Sequence, residues 1–540
     1  MKNKLLLLGD EALALGAINA GLSGAYAYPG TPSTEILEYV QNNPVARLRK
    51  IHSHWSSNEK TAVEEALGMS FCGKRAIVSM KHVGLNVAAD PFMNSAMTGA
   101  NGGLLVISAD DPSMHSSQNE QDSRFYANFA IIPALEPSNQ QEAYDMAQYG
   151  FSLSERIGMP VMVRLVTRLS HSRAVVAVDA EPAQENQFKY PENTAQWVLM
   201  PVNSRKRYNQ LLDLREDMEK EAETSPFNTL TPGTDRRLGI LASGIAYNYI
   251  MECFPGGCPF PVLKISQYPL PRRKVAELVA SCDAVLVAEE GQPFIEQAMR
   301  GILDNGPKIY GKLDGILPRA GELSPDSVAA GLGKLLPDLN LAVQVREPST
   351  TVVARPPALC QGCGHRDVYA ALNAALDDCA SPKVFGDIGC YTLGWLSPFN
   401  AIDTCVDMGA SITMAKGAAD AGQRPAVAII GDSTFTHSGM TGLLDAVNEN
   451  SPITVIISDN LTTGMTGGQD SQGTGKLEEI CLGLGVDPDH LMTIDSLPKN
   501  FEDMKKLFAS EFAYEGLSVV IARRECIQTA RRHAKAKKLS

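Results

Sequence analysis

The chain has 540 residues, of which 44% are hydrophobic and 20% charged, and a net charge of −13. That composition belongs to globular proteins, and at roughly 150 residues per domain the length accommodates three or four domains. The acidic balance excludes the basic footprint of a nucleic-acid binder, and no apolar run reaches the length of a membrane span. Eleven cysteines without a signal-like N-terminus fit a reducing cytoplasm, where a cysteine cluster holds metal more readily than disulfides.

In chain order, Leu5 to Leu8 predicts a short strand that Gly9-Asp10 ends. Residues 1–180 alternate apolar strands (Ala76–Ser79, Leu104–Ile107, Pro160–Leu165) with helical stretches, which predicts an α/β domain with a parallel sheet. Residues 181–232 are a polar connector with a helix over Arg205–Glu223. Residues 233–345 form a second α/β domain, with strands at Arg237–Leu241 and Ala284–Ala288. Residues 355–540 form a third, with strands at Val384-Phe385, Ala426–Ile430, Ile453–Ile457 and Leu517–Ile521. These apolar runs are continuous rather than alternating, as in strands buried on both faces. Functional residues are expected at the C-terminal ends of such strands. The basic run from Arg531 to Lys538 reads as a solvated, fraying terminus.

The third domain carries the strongest chemical signal. Its strand Ala426–Ile430 ends in Gly431-Asp432-Ser433, and Asn460 follows the next strand, with a helix over about His437–Asn450 between them. This βαβ unit puts a carboxylate and an amide oxygen at neighbouring strand ends. A hard cation such as Mg²⁺ wants oxygen ligands and is usually completed by phosphates. Glycine allows close backbone approach, and the helix N-terminus adds N–H donors. The alternative is a pair of Asx-capped turns. Together, Asp432 and Asn460 resemble the Gly-Asp-Gly…Asn signature of thiamine diphosphate enzymes, with Ser433 as a departure. By that resemblance the third protein ligand is the backbone carbonyl of Thr462.

Such enzymes also need a carboxylate that protonates N1′ of the cofactor's aminopyrimidine. Glu59, in Asn58–Gly68, is the candidate: Ala62, Ala66 and Gly68 are small residues where a helix packs closely. The alternative is an ordinary acidic helix start, which is how Glu64 and Glu65 read. Cys360-Gln361-Gly362-Cys363 is a CxxC on a glycine-rich loop, suited to an iron–sulfur cluster or zinc, or else unligated. Cys72, Cys253, Cys258, Cys282, Cys379, Cys405 and Cys481 read as core or incidental.

Several longer segments carry a family resemblance: Tyr28–Glu35, Met80–Asn86, Asp110–Pro112 with His115–Arg124, Arg355–Pro357, Cys360–His365, Asp387–Leu393 and Met465–Gly467. On these the chain resembles the alpha subunits of indolepyruvate ferredoxin oxidoreductases, in the 2-oxoacid:ferredoxin oxidoreductase superfamily. The resemblance implies three doubly wound α/β domains: a pyrimidine-binding domain (1–180), a transketolase C-terminal-like domain (233–345) and a diphosphate-binding domain (355–540). It implies one 4Fe–4S cluster on Cys360, Cys363, Cys390 and Cys526. Gly389, Cys390, Gly431, Asp432, Ser433, Asn460, Thr462, Met465 and Thr466 would line the cofactor. Thr31 would contact the substrate and Arg124 would hold its carboxylate, the alternative for Arg124 being a surface ion pair.

The implied reaction is oxidative decarboxylation of indolepyruvate, phenylpyruvate or hydroxyphenylpyruvate with CoA, giving the aryl-acetyl-CoA, CO₂ and reduced ferredoxin. A smaller beta subunit carrying a gamma-type domain would complete a hetero-oligomer. Many relatives continue into a ferredoxin-like domain with further clusters. This sequence stops shortly after Cys526, so one cluster and an external acceptor are expected. Two rivals stand beside this reading: a non-oxidative thiamine-dependent decarboxylase, and a non-catalytic subunit with a vestigial site.

Overall fold

The computed structural model describes residues 3–301, 306–339, 341, 350–353 and 355–539, and the chain divides into two compact units, residues 1–347 and 348–540. Among the described residues no helix is long and apolar enough to cross a membrane.

Among the described residues the first unit contains fourteen strands. They are β1 (Asn3–Leu8), β2 (Gly24–Ala27), β3 (His52–Trp55), β4 (Ala76–Lys81), β5 (Leu104–Asp110), β6 (Ala134–Leu135), β7 (Val161–Val166), β8 (Arg173–Val178), β9 (Thr229–Thr231), β10 (Gly239–Ser243), β11 (Val262–Ile265), β12 (Gln267–Tyr268), β13 (Ala284–Ala288) and β14 (Lys308–Tyr310). The main sheet runs β12-β6-β7-β5-β4-β2-β3, parallel throughout except for the β12–β6 edge. A second sheet, β14-β13-β10-β11-β9, is parallel apart from β9. The short strand β1 pairs with β8 in a ribbon of its own.

Alternation along each strand explains the continuous apolar runs. Ile77, Leu105, Ile107, Val161 and Val163 pack into one core layer, whereas Val78, Met80, Leu104, Val106 and Met162 pack into another. A strand covered by helices on both faces buries both sets of side chains. The two α/β blocks read from the sequence form one unit, because β12 leaves the second block and closes the edge of the first block's sheet. The connector helix runs from Pro201 to Thr224, slightly longer than expected.

The second unit has one principal sheet, fully parallel. Its strands are β15 (Lys383–Gly386), β16 (Thr404–Cys405), β17 (Ala426–Gly431), β18 (Thr454–Asp459), β21 (Leu491–Asp495) and β22 (Ser518–Arg523), in the order β16-β15-β17-β18-β22-β21. A two-residue ribbon, β19 (Thr462–Thr463) with β20 (Gln469–Asp470), follows β18. Ala428, Ile430, Val455 and Val519 face one core layer, and Val427, Ile429, Ile456 and Val520 the other. The C-terminal basic run, expected to fray, is part of a helix, Ile527–Leu539. The Arg532 guanidinium anchors it by donating to the Gly467 carbonyl at 2.6 Å.

Candidate active site

In the second unit, parallel register sets Gly431 opposite Ser458, so β17 and β18 deliver Asp432 and Asn460 at adjoining ends. The helix expected from His437 begins at Asp432 itself. It runs through a widened turn, Phe435–Gly439, and ends at Asn448. Gly431 is extended and acts as its cap residue, so no loop separates strand from helix.

Asp432 is buried, and its Oδ2 has no hydrogen-bond partner among the described residues. Burial, with Asp459 nearby, pushes its carboxyl up to about 7. A buried carboxylate left this way is costly unless a cation completes it. Asn460 Oδ1 accepts from the Thr462 N–H at 3.1 Å, and Leu461 between them has a left-handed backbone (φ 62°). Ser433 and Thr463 share a hydroxyl hydrogen bond of 2.5 Å. The Thr462 and Thr466 hydroxyls both donate to Gln469, at 2.9 and 2.7 Å, while Met465 is exposed. The Tyr391 ring lies against Gly389 and Gly431: a Cβ on Gly431 would stand 2.7 Å from it, and one on Gly389 would collide outright. The Tyr391 hydroxyl donates to buried Asp387, whose other oxygen receives the Gly409 and Ser411 N–H groups.

All four predicted cysteine ligands line one cavity of about 90 Å³, together with His365, Asn460 and Gly464. The topology accounts for this. β22 lies beside β18, so the Cys526 N–H donates to the Asn460 carbonyl at 3.0 Å. Gly464 closes the opposite side, where a Cβ would be 3.1 Å from Cys390 Sγ. Burial and the neighbouring cysteines push the Cys390 thiol up to about 12. No three of the four sulfurs lie within 4.8 Å of one another. His365 sits beside the cavity, with Nδ1 2.6 Å from the Ser458 hydroxyl and Nε2 3.3 Å from Asn460 Nδ2. Burial lowers its ring to about 4, so it is neutral.

The first unit holds the other predicted residues. Glu59 opens the helix Glu59–Phe71, whose cap residue Asn58 accepts from the Thr61 N–H at 2.9 Å. Glu59 is buried, and a Cβ at Gly84 would collide with its carboxylate. Ala62 and Ala66 pack closely as expected. Gly68 does not: a Cβ there would meet nothing within 4 Å, because this turn of the helix faces outward.

The Thr31 carbonyl accepts from the Ser116 hydroxyl at 3.1 Å. Lys81 Nζ donates to the Ser116 carbonyl at 2.5 Å, and burial lowers its ammonium to about 8. His82, next in sequence, is buried with neither ring nitrogen partnered among the described residues. Sequence reasoning assigned Lys81 and His82 no role. The available signal was their place in the Met80–Asn86 segment.

Arg124 departs from both expectations. It is only 1% exposed, so it is not a surface residue. Its guanidinium is committed to Asp122 at 2.5 Å, Glu289 at 2.9 Å, the Tyr268 hydroxyl at 3.2 Å and the carbonyls of Glu290 and Gln292. A fork whose donors are all engaged has none left for a substrate carboxylate.

Comparison with known proteins agrees with this architecture. Residues 15–226 match the family model described as pyruvate flavodoxin/ferredoxin oxidoreductase, thiamine diphosphate-binding. Residues 387–522 match that described as thiamine pyrophosphate enzyme, C-terminal TPP binding domain. Fold and site together define a thiamine diphosphate-dependent oxidoreductase. Indolepyruvate oxidoreductase subunit IorA of Archaeoglobus fulgidus is 38% identical over 97% of this chain and 86% of its own. The Pyrococcus abyssi protein of that name is 37% identical over 97% and 86%, and that of Methanothermobacter thermautotrophicus 36% over 97% and 87%. The chain belongs to this family, the alpha subunits of thiamine diphosphate-dependent 2-oxoacid:ferredoxin oxidoreductases.

Proposed function

We propose that the chain catalyses oxidative decarboxylation of arylpyruvates (indolepyruvate, phenylpyruvate or hydroxyphenylpyruvate) with CoA, giving the aryl-acetyl-CoA and CO₂ and reducing ferredoxin. A smaller beta subunit with a gamma-type domain completes the hetero-oligomer, which works in the cytoplasm. Thiamine diphosphate, when bound, supplies the electron sink for decarboxylation. Asp432, Asn460 and the Thr462 backbone carbonyl would hold the Mg²⁺ that carries its diphosphate, which fits an unpartnered buried carboxylate oxygen beside an amide. Gly389, Cys390, Gly431, Ser433, Met465 and Thr466 line the same site. Glu59 holds the proton exchanged with the aminopyrimidine. Thr31 and Lys81 meet the substrate, with Lys81 rather than Arg124 taking its carboxylate.

The observation that carries the oxidative reading is the cysteine cavity. A single zinc ion with Zn–S bonds of about 2.3 Å needs its sulfurs about 3.8 Å apart. Cys360, Cys363, Cys390 and Cys526 are spread more widely than a three-sulfur shell of that size, yet face one space, which suits one 4Fe–4S cluster. When bound, the cluster supplies one-electron chemistry that a non-oxidative decarboxylase does not need.

The test is anaerobic co-purification with the beta subunit, with iron analysis, a visible spectrum and assay of the three arylpyruvates with CoA and ferredoxin. About four irons per chain are expected, with acyl-CoA formed only when the acceptor is present. A colourless, iron-free but equally active enzyme would remove the cluster. Glu59→Gln is expected to bind the cofactor and lose turnover, and unchanged activity would remove Glu59 from the mechanism.

A further inference from the structure

In the first unit, Asp10, Glu35 and His171 offer ligand atoms that all lie within 4.8 Å of one another. Three separate elements supply them. Asp10 follows the strand β1 at the start of the helix Gly9–Asn19, Glu35 lies in the first turn of the helix Thr34–Asn42, and His171 ends the helix Thr167–His171. Gly9 makes the meeting possible. A Cβ there would collide with the Leu169 carbonyl, its carbon only 2.8 Å away, so only glycine brings Asp10 against the Leu169–His171 backbone.

In this recess Asp10 is the charge without a counterpart, because Glu35 and His171 already face each other. Asp10 is fully buried, and neither of its carboxylate oxygens has a hydrogen-bond partner among the described residues. Glu35 Oε2 faces His171 Nε2 at 3.5 Å; against the opposing effect of burial this contact holds the Glu35 carboxyl below its usual range, and it holds the imidazole above its own. Asp10 stands beside this pair as a buried carboxylate of its own, and an unpaired buried carboxylate is among the costliest groups a fold can hold. Burial accordingly pushes the Asp10 carboxyl up to about 8. A proton relieves one charge but leaves the acceptor oxygens unserved. A divalent cation would satisfy both carboxylates and the imidazole at once, and the sum of one dication, two carboxylates and a neutral histidine is zero. His171 is exposed at the mouth of the recess, so an ion can enter.

We propose that Asp10, Glu35 and His171 form a second metal site, with a ligand set of its own, for a divalent transition ion of the zinc class. One imidazole nitrogen and two carboxylate oxygens are a usual ligand set for such an ion and leave a fourth position for water. The site ties the starts of two helices to the end of a third, so its contribution is to the order of the first unit near Thr31.

The experiment uses the full enzyme, loaded with its cofactors and saturated with Mg²⁺, and dialysed to equilibrium against Zn²⁺. The wild type is expected to hold one more zinc per chain than Asp10→Asn, Glu35→Gln or His171→Gln. X-ray absorption of the extra zinc should show nitrogen and oxygen neighbours and no sulfur, which separates it from zinc captured by the cysteines. The wild type alone should melt at a higher temperature when zinc is added. Equal zinc content in the wild type and the folded variants, or a sulfur shell around the extra zinc, would overturn the proposal. Loss in Asp10→Asn with full binding retained in His171→Gln would overturn it as well. Glu35 and His171 are partly exposed, so their variants keep the test valid if Asp10→Asn fails to fold.

Discussion

Gly84 is the residue on which the placing of Glu59 turns. Any side chain there occupies the space of the Glu59 carboxylate. Gly84→Ala is therefore expected to leave the fold intact and lower kcat by about a hundredfold, since a displacement of 1 Å in a catalytic group has that effect; steady-state kinetics beside a melting curve checks it. Lys81 offers a second test. Lys81→Met should raise KM for the 2-oxoacid at least about tenfold, the loss of roughly one charge-assisted hydrogen bond, with little change in KM for CoA. Asp432, Asn460 and the CxxC stood out in the sequence because each is a residue type suited to binding a metal, the first two at the ends of recognisable strands. Lys81 and His82 did not. Each is a single residue whose significance lies in being buried and poorly satisfied, which no spacing reports.

At the scale of elements, the parallel strands could be read directly, since a strand covered on both faces must be apolar at successive positions. The helix after Gly431 was placed five residues late: it starts directly on the strand at Asp432, and the widened turn Phe435–Gly439 follows. The role of Arg124 was hidden for another reason: of its partners only Asp122 is local, while Tyr268 and Glu289 come from two distant segments. This guanidinium joins the helix Arg124–Ala130 to β12 and to the loop after β13. Arg124→Met leaves Glu289 buried without its cation and Asp122 with only Arg164, at 3.5 Å, so it should destabilise the first unit by about 3–5 kcal/mol. Urea denaturation measures this. A large rise in KM at unchanged stability would instead restore Arg124 as a substrate ligand.

For the whole molecule, each core cluster is confined to one unit, so the two units are expected to unfold as separate transitions. With the proposed cluster in the second unit, stripping iron should lower the melting temperature of that unit and leave the first unchanged. Calorimetry before and after chelation under anaerobic conditions tests this. The first unit carries its own pH dependence. Glu290 is buried, and its carboxyl is pushed up from 4.5 to about 7. Between those values the folded chain keeps a proton that the unfolded chain releases, so stability falls as pH rises through this window. Glu290→Gln removes the ionisation. It should match the wild type near pH 4.5 and exceed it at pH 8 by on the order of 3 kcal/mol; parallel pH profiles would refute the assignment. The sequence reads as three α/β blocks, and nothing in it shows the fusion of the first two. The fusion rests on Gln267–Tyr268, a strand too short to show any period.

That fusion also bears on synthesis. The main sheet of the first unit lacks its β12 edge until residue 268 has been made, and Arg124 waits for Glu290, 166 residues downstream. At 5–20 residues per second the interval is roughly 10–30 s. Throughout it the nascent N-terminal portion carries an open strand edge and a set of buried-to-be charges without their counterparts. On the ribosome this chain is therefore most exposed to misassembly in the middle of its translation, and a pause or truncation before residue 290 should leave a species that chaperones hold rather than release.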